Sequence, residues 1–172
     1  MTRPALEATS APDTPPPPPP RVLLLGLGND ILTDDAIGLR VVRQLQPQLA
    51  CQPTIEVRET TEMGLALLDF MTGYAAVVIV DSIQTGRAAP GTVHELDAAA
   101  LQQLTGRTPH FLGVKETLAL GRQLELAMPE QIRIFAIEVA DPFTLSTALT
   151  PALQSALPQI VNRIAAAVRR LA

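Results

Sequence analysis

The chain has 172 residues, enough for one domain with a sizeable core and too few for two ordinary domains. Apolar residues make up 47% and charged residues 17%, a globular composition that excludes a largely disordered chain. The formal net charge of −4 argues against a nucleic-acid-binding protein, because such proteins usually carry a basic face.

The cysteine count and the apolar pattern indicate a cellular compartment. Cys51 is the single cysteine, so an intramolecular disulfide, a four-cysteine zinc site and a CxxC redox motif are all excluded. No apolar run approaches the roughly 18 residues that span a membrane, and the N-terminus lacks the apolar core of a signal peptide. We therefore expect a cytoplasmic protein that does not contact the membrane.

Residues 1–20 are expected to be a disordered, proline-rich leader, and residues 21–172 a single folded domain. Residues 15–20 are all proline. Because proline has no amide donor and a fixed φ, this run favours an extended, polyproline-like conformation.

From residue 21 onward, strand and helix patterns alternate. Short apolar runs and alternating segments predict five strands, at residues 22–27, 54–58, 75–80, 92–96 and 131–139. Helical spacing of apolar residues predicts four helices, at residues 34–46, 63–72, 113–126 and 151 onward. Thr33 or Asp34 is expected to cap the first helix and Pro47 to end it, while Pro151 suits the first turn of the last helix.

This order predicts an α/β fold of three layers, in which a twisted, mostly parallel five-stranded sheet has helices on both faces. The strand at residues 92–96 follows Asp81 too closely for a helical crossover, so we expect it to be an antiparallel edge strand. In such folds the binding site lies at the carboxyl ends of the parallel strands.

Acidic residues follow or end four of the predicted strands, and one histidine lies in a loop before a helix: Asp34, Asp35, Glu59, Asp81, Glu138 and His110. Two carboxylates and an imidazole at one sheet edge would form a site of two oxygen ligands and one nitrogen ligand. Such a site suits a borderline divalent metal such as nickel or zinc.

Each of these residues also has an ordinary structural interpretation. Asp34 is best explained as a helix cap, which leaves Asp35 without that role, and Asp81 could simply begin a turn. Isolated histidines usually lie at helix starts or on surfaces, so His110 alone would not indicate a metal site. His94 is expected to be solvated on the edge strand. Glu59 and Glu138 are interpreted as capping or hydrogen-bonding groups.

The glycines of residues 26–31, GLGNDI, suggest a dinucleotide-binding loop, and hence a small-molecule-binding domain. The pattern fails at Ile31, where the GxGxxG motif needs its last glycine, and the acidic residues that follow would repel a pyrophosphate. We therefore predict a tight glycine turn that lets two backbone segments pass closely.

Three blocks of the sequence together resemble the hydrogenase maturation endopeptidases. They are GLGNDILTDDAIG at residues 26–38, VDSI at 80–83 followed by PGTV at 90–93, and PHFLG at 109–113. Their order and spacing match the family from about residue 21 to residue 170. One stretch departs from it, since many members have an Asp-Gly-Gly-Thr-like sequence where this chain has ETTEMG at residues 59–64.

The resemblance implies that Asp35, Asp81 and His110 are the catalytic and nickel-binding residues. It implies an endopeptidase that removes the C-terminal tail of a nickel–iron hydrogenase large-subunit precursor once nickel is in place. Nickel would be supplied by that substrate and not bound permanently, and the enzyme would act as a monomer. The alternative is a nickel-binding chaperone or checkpoint protein that cuts nothing.

Overall fold

The computed structural model describes residues 22–97 and 113–172. They contain five strands: β1 (Val22–Leu27), β2 (Ile55–Thr60), β3 (Ala76–Ile83), β4 (Val93–Asp97) and β5 (Gln131–Glu138). They also contain four α-helices: α1 (Ile37–Leu49), α2 (Leu67–Met71), α3 (Val114–Gln123) and α4 (Pro151–Arg169). A short 3-10 helix, Gly64–Ala66, precedes α2. The leader, residues 1–20, lies outside the described ranges.

The five strands form one sheet in the order β2-β1-β3-β5-β4. β1 pairs in parallel with β2 and β3, and β3 pairs in parallel with β5. β4 pairs antiparallel with β5 at the edge of the sheet. The predicted mixed sheet and its antiparallel edge strand are both confirmed.

Helices cover the two faces of the sheet and create two apolar cores. Alternate residues of β1 point to opposite faces, so Val22 and Leu24 join the core beneath α1 and α4, while Leu23 and Leu25 join the core beneath α2 and α3. Every residue of β1 and β3 is buried, which explains their continuous apolar runs. The three-layer α/β architecture is as predicted.

Several predicted boundaries were wrong, including the end of the third helix, which lies at Gln123 and not at residue 126. β3 does not stop before Asp81 but continues to Ile83, because β5 is long enough to pair with it through Glu138. The first helix passes through Pro47 to Leu49, because a proline this close to the end removes only one hydrogen bond and Leu49 is buried. The helix predicted at residues 63–72 is divided into the 3-10 helix and the five-residue α2.

Among the helices that the structure describes, none is both long and apolar enough to cross a membrane.

Candidate active site

The loop between β1 and α1 folds closely over the end of the sheet, and its glycines make this possible. A Cβ atom added to Gly28, whose φ is +146°, would lie 2.1 Å from the carbonyl oxygen of Asp35. A Cβ atom added to Gly38 would lie 2.2 Å from the carbonyl oxygen of Leu27 and 2.4 Å from that of Val80. Backbone atoms occupy the space that any side chain would need, as predicted for a tight glycine turn.

This loop brings Asp35 next to the end of β3. Ser82 Oγ donates a hydrogen bond to Asp35 Oδ1 at 2.8 Å, and the backbone amide of Ser82 donates to Asp81 Oδ1 at 2.7 Å. Asp35, Ser82 and Asp81 are 4%, 2% and 0% exposed. Two of the three predicted site residues therefore contact the same buried serine, near the carboxyl end of the parallel strands.

Asp81 differs from its predicted setting. It was expected just beyond a strand, but it lies inside β3, opposite Ala136 of β5, and is fully buried. It therefore does not simply begin a turn.

His110 lies outside the described residues, so the convergence of Asp35, Asp81 and His110 on one site remains a prediction. Between residues 22 and 97 and from 113 onward, no group of three histidine, cysteine or acidic side chains is arranged to hold a metal ion. The described part of the site is a pair of carboxylates linked by Ser82.

Asp34 does not cap α1, contrary to the prediction. The N-cap of α1 is Ala36, and no side chain caps that helix. The fully buried carboxylate of Asp34 instead accepts four hydrogen bonds from the β5–α4 loop, donated by the amides of Ala140, Asp141 and Thr150 and by the hydroxyl of Thr150. Asp34 thus joins the loops that follow β1 and β5.

Glu138, at the end of β5, is a buried hydrogen-bonding group, as predicted. It accepts bonds from the amide and hydroxyl of Thr85 and from the amide of Gly86. His94 was expected to be solvated, but its Nε2 lies 3.1 Å from Glu138 Oε2, because antiparallel pairing brings β4 beside β5. Burial raises the pKa of Glu138, but the bonds from Thr85, Gly86 and His94 outweigh burial and leave the pKa below its ordinary value.

Glu59 also takes its predicted hydrogen-bonding role, in an exposed cluster at the end of β2. The guanidinium of Arg43 bonds both oxygens of Glu59 and both oxygens of Asp30 at 2.6–2.8 Å. The hydrogen bond from Arg43 lowers the pKa of Asp30, and the hydrogen bonds to Glu59 and Asp30 raise that of Arg43. This cluster fixes the β1–α1 loop against β2.

Comparison with known proteins supplies the family. The model of the hydrogenase maturation protease family, HycI, matches residues 39–167, about three quarters of the chain. The chain belongs to this family. The match begins after Asp35 and spans the positions of Asp81 and His110.

Other members of the hydrogenase maturation protease family support the assignment. The hydrogenase 2 maturation protease of Escherichia coli is 28% identical over 151 residues, which cover 87% of this chain and 91% of that protein. The solved structure of the hydrogenase maturating endopeptidase HybD from E. coli is similar with a TM-score of 0.72 and 27% identity, over 87% of this chain and 93% of that one. HybD from Thermococcus kodakarensis, a [NiFe] hydrogenase maturation protease, gives a TM-score of 0.66 at 25% identity, over 86% of this chain and 99% of that one.

The predicted family and fold are therefore confirmed, and this maturation protease is a hydrolase, an endopeptidase. Sequence reasoning missed Ser82 and Thr85 as residues that organise buried carboxylates. The position of Ser82 directly after Asp81, at the end of an apolar run, was the available signal, because a hydroxyl that is buried there must find a hydrogen-bond partner.

Proposed function

We propose that this chain removes the C-terminal tail of a nickel–iron hydrogenase large-subunit precursor after nickel insertion. One observation carries the proposal: in a member of the maturation protease family, two buried carboxylates, Asp35 and Asp81, contact one serine near the carboxyl edge of the sheet. The similarity to the hydrogenase 2 maturation protease and the endopeptidase HybD of E. coli supports the proposal.

The donor set suits nickel that arrives as part of the substrate. Carboxylate oxygens of Asp35 and Asp81, with an imidazole nitrogen of His110, are ligands that a borderline divalent metal accepts. Three such ligands leave coordination positions for groups of the precursor. Nickel bound in this way would distinguish a precursor that contains the metal from one that does not. Nickel bound there would polarise the scissile carbonyl.

The carboxylates supply the proton transfers of peptide hydrolysis. A carboxylate of this pair takes a proton from the attacking water, whose oxygen bonds to the carbonyl carbon. The same proton passes to the leaving nitrogen as the carbon–nitrogen bond breaks, and a shortened subunit and a free peptide result. Burial keeps bulk water from competing for these hydrogen bonds.

Mass spectrometry of a nickel-loaded precursor, before and after exposure to this chain, tests the proposal. We expect the precursor to lose its C-terminal tail in one cut. A non-proteolytic chaperone would change nickel occupancy and leave the mass of the polypeptide unchanged.

The first testable prediction concerns the Asp81→Asn variant in the same assay. The amide oxygen of asparagine can still accept the bond from Ser82, so the variant should fold, but it removes the charge and the proton acceptor. We expect the rate of tail removal to fall by about 100-fold or more. Thermal unfolding serves as the control, and a folded variant that cuts at the normal rate would rule out this role for Asp81.

We also propose that the protein works as a monomer in the cytoplasm. Its one cysteine, Cys51, is exposed and free, which suits a reducing compartment. Light scattering of the purified chain measures its mass in solution, and cell fractionation measures its location.

A further inference from the structure

Ser82 is a buried residue whose two hydrogen-bond donors both serve the carboxylates of the candidate site. We propose that Ser82 is a positioning residue, which holds the Asp35 carboxylate in the orientation that peptide cleavage requires. This inference rests on the proposed function. Ser82 would act through Asp35 and not on the scissile bond itself.

The register of β3 explains why this position can reach Asp35. Val78 and Val80 belong to the core beneath α1 and α4, so Ser82, in the same alternation, faces the side of the sheet on which α1 lies. Asp35 stands in the loop that leads into α1. Asp81, one residue earlier, has the opposite alternation, that of Ile79 and Ile83, which face α2 and α3. The backbone amide of Ser82 nevertheless bonds Asp81 Oδ1.

The hydrogen bond from Ser82 fixes one side chain and not the whole loop. A serine hydroxyl has one donor, which here is directed to Asp35 Oδ1. The backbone around Asp35 is held independently, since the amide of Thr33 donates to Thr144 and the amide of Asp34 donates to Asp141. Loss of the hydroxyl should therefore remove one constraint on the orientation of the Asp35 carboxylate while leaving the loop in place. Because Ser82 is only 2% exposed, water does not readily replace the lost donor.

Two variants separate the hydroxyl from the rest of the side chain. Ser82→Ala removes the donor, and Ser82→Thr keeps a hydroxyl on the same carbon. Thr72→Ala is the matched control, because the Thr72 hydroxyl also donates a partly buried hydrogen bond, to the carbonyl of Leu68. Thr72 lies just before the start of β3, at the amino ends of the parallel strands and away from the candidate site.

The assay uses the full chain and a nickel-loaded large-subunit precursor. We expect Ser82→Ala to lower kcat by about 10- to 100-fold with KM changed less than about twofold, because a misplaced catalytic group weakens the chemical step more than binding. Ser82→Thr should recover kcat to within about threefold of wild type, and Thr72→Ala should match wild type. A crystal structure of Ser82→Ala should show the Asp35 carboxylate turned from its wild-type orientation and the backbone of residues 33–36 unmoved.

Several outcomes would overturn the inference. The inference is wrong if a folded Ser82→Ala variant has the wild-type kcat, or if that variant changes only KM. It is also wrong if a folded Ser82→Thr variant is as slow as Ser82→Ala. If Ser82→Ala does not fold, Ser82→Cys replaces it in the comparison, because the cysteine thiol is a weak hydrogen-bond donor of similar size. The kcat of Ser82→Cys should then lie below that of Ser82→Thr, and equal values would contradict the inference. If the wild-type chain itself releases no peptide, it is the proposed function that fails.

Discussion

Asp34 is a completely buried acidic residue, and its hydrogen bonds explain how the chain accommodates it. Removing a carboxylate from water is costly unless hydrogen bonds replace hydration. Three backbone amides and one hydroxyl, all from the segment between Ala140 and Thr150, provide that replacement. Asp34 therefore stabilises the fold, while its neighbour Asp35 is left for the candidate site.

Asp34→Ala should be strongly destabilising. It leaves several buried amides without their acceptor, so we expect the free energy of unfolding to fall by about 3 kcal/mol. Asp34→Asn keeps one acceptor oxygen and should cost less. Urea unfolding of both variants measures the difference, and an Asp34→Ala variant as stable as wild type would show that these four bonds contribute nothing net.

Glu138 should make stability depend on pH. Its folded pKa lies below the ordinary value of 4.5, because the bonds from Thr85, Gly86 and His94 outweigh burial. Its contribution is therefore fully present above about pH 4.5 and is lost as pH falls through the lower, folded pKa. Urea unfolding of wild type between about pH 6 and pH 3 should show this loss, and Glu138→Gln should show a shallower decline over the same range.

A matched variant separates this effect from general acid denaturation. Asp30 and Asp141 also have lowered pKa values, through hydrogen bonds from Arg43 and Thr144, and they contribute equally to wild type and variant. Glu130 is exposed, so Glu130→Gln should follow the wild-type pH profile. If Glu138→Gln also follows it, Glu138 is not a source of the pH dependence.

Helix α1 is placed by glycines at the points where it touches the sheet. A Cβ atom added to Gly26 would lie 2.6 Å from the Val42 side chain and 2.7 Å from the carbonyl oxygen of Gly38. Strand β1 and helix α1 therefore approach each other closely at Gly26 and Gly38. This contact sets how closely the β1–α1 loop, and with it Asp35, lies against the ends of β1 and β3.

Gly38→Ala should displace α1 from the sheet. The new methyl group would meet the carbonyl oxygens of Leu27 and Val80, and backbone atoms of two central strands cannot move aside at low cost. We expect the free energy of unfolding to fall by about 3 kcal/mol and proteolytic activity to fall with it. Gln46→Ala, at an exposed position of the same helix, should change neither quantity. A fully stable Gly38→Ala variant would show that α1 can shift without cost.

Across the molecule, the sequence predicts the layers of the fold better than it predicts the contacts of the candidate site. Continuous apolar runs predict the buried strands, and apolar residues at helical spacing between those runs predict the helices. The sheet and its helices could therefore be predicted from the sequence. The bond between His94 and Glu138 depends on the antiparallel pairing of β4 and β5, and the role of Asp34 depends on the path of the β5–α4 loop. Such contacts join residues far apart in sequence, and local patterns do not encode them.

The last prediction concerns the leader, residues 1–20. Deleting residues 2–20 should leave proteolysis and stability nearly unchanged, because this segment offers few large apolar side chains to a core. We expect kcat/KM within about twofold of wild type and Tm within about 2 °C, a shift that corresponds to at most about 1 kcal/mol. Cleavage assays and thermal unfolding of the truncated chain measure both. An unchanged Tm with a much higher KM would mean that the leader binds the precursor.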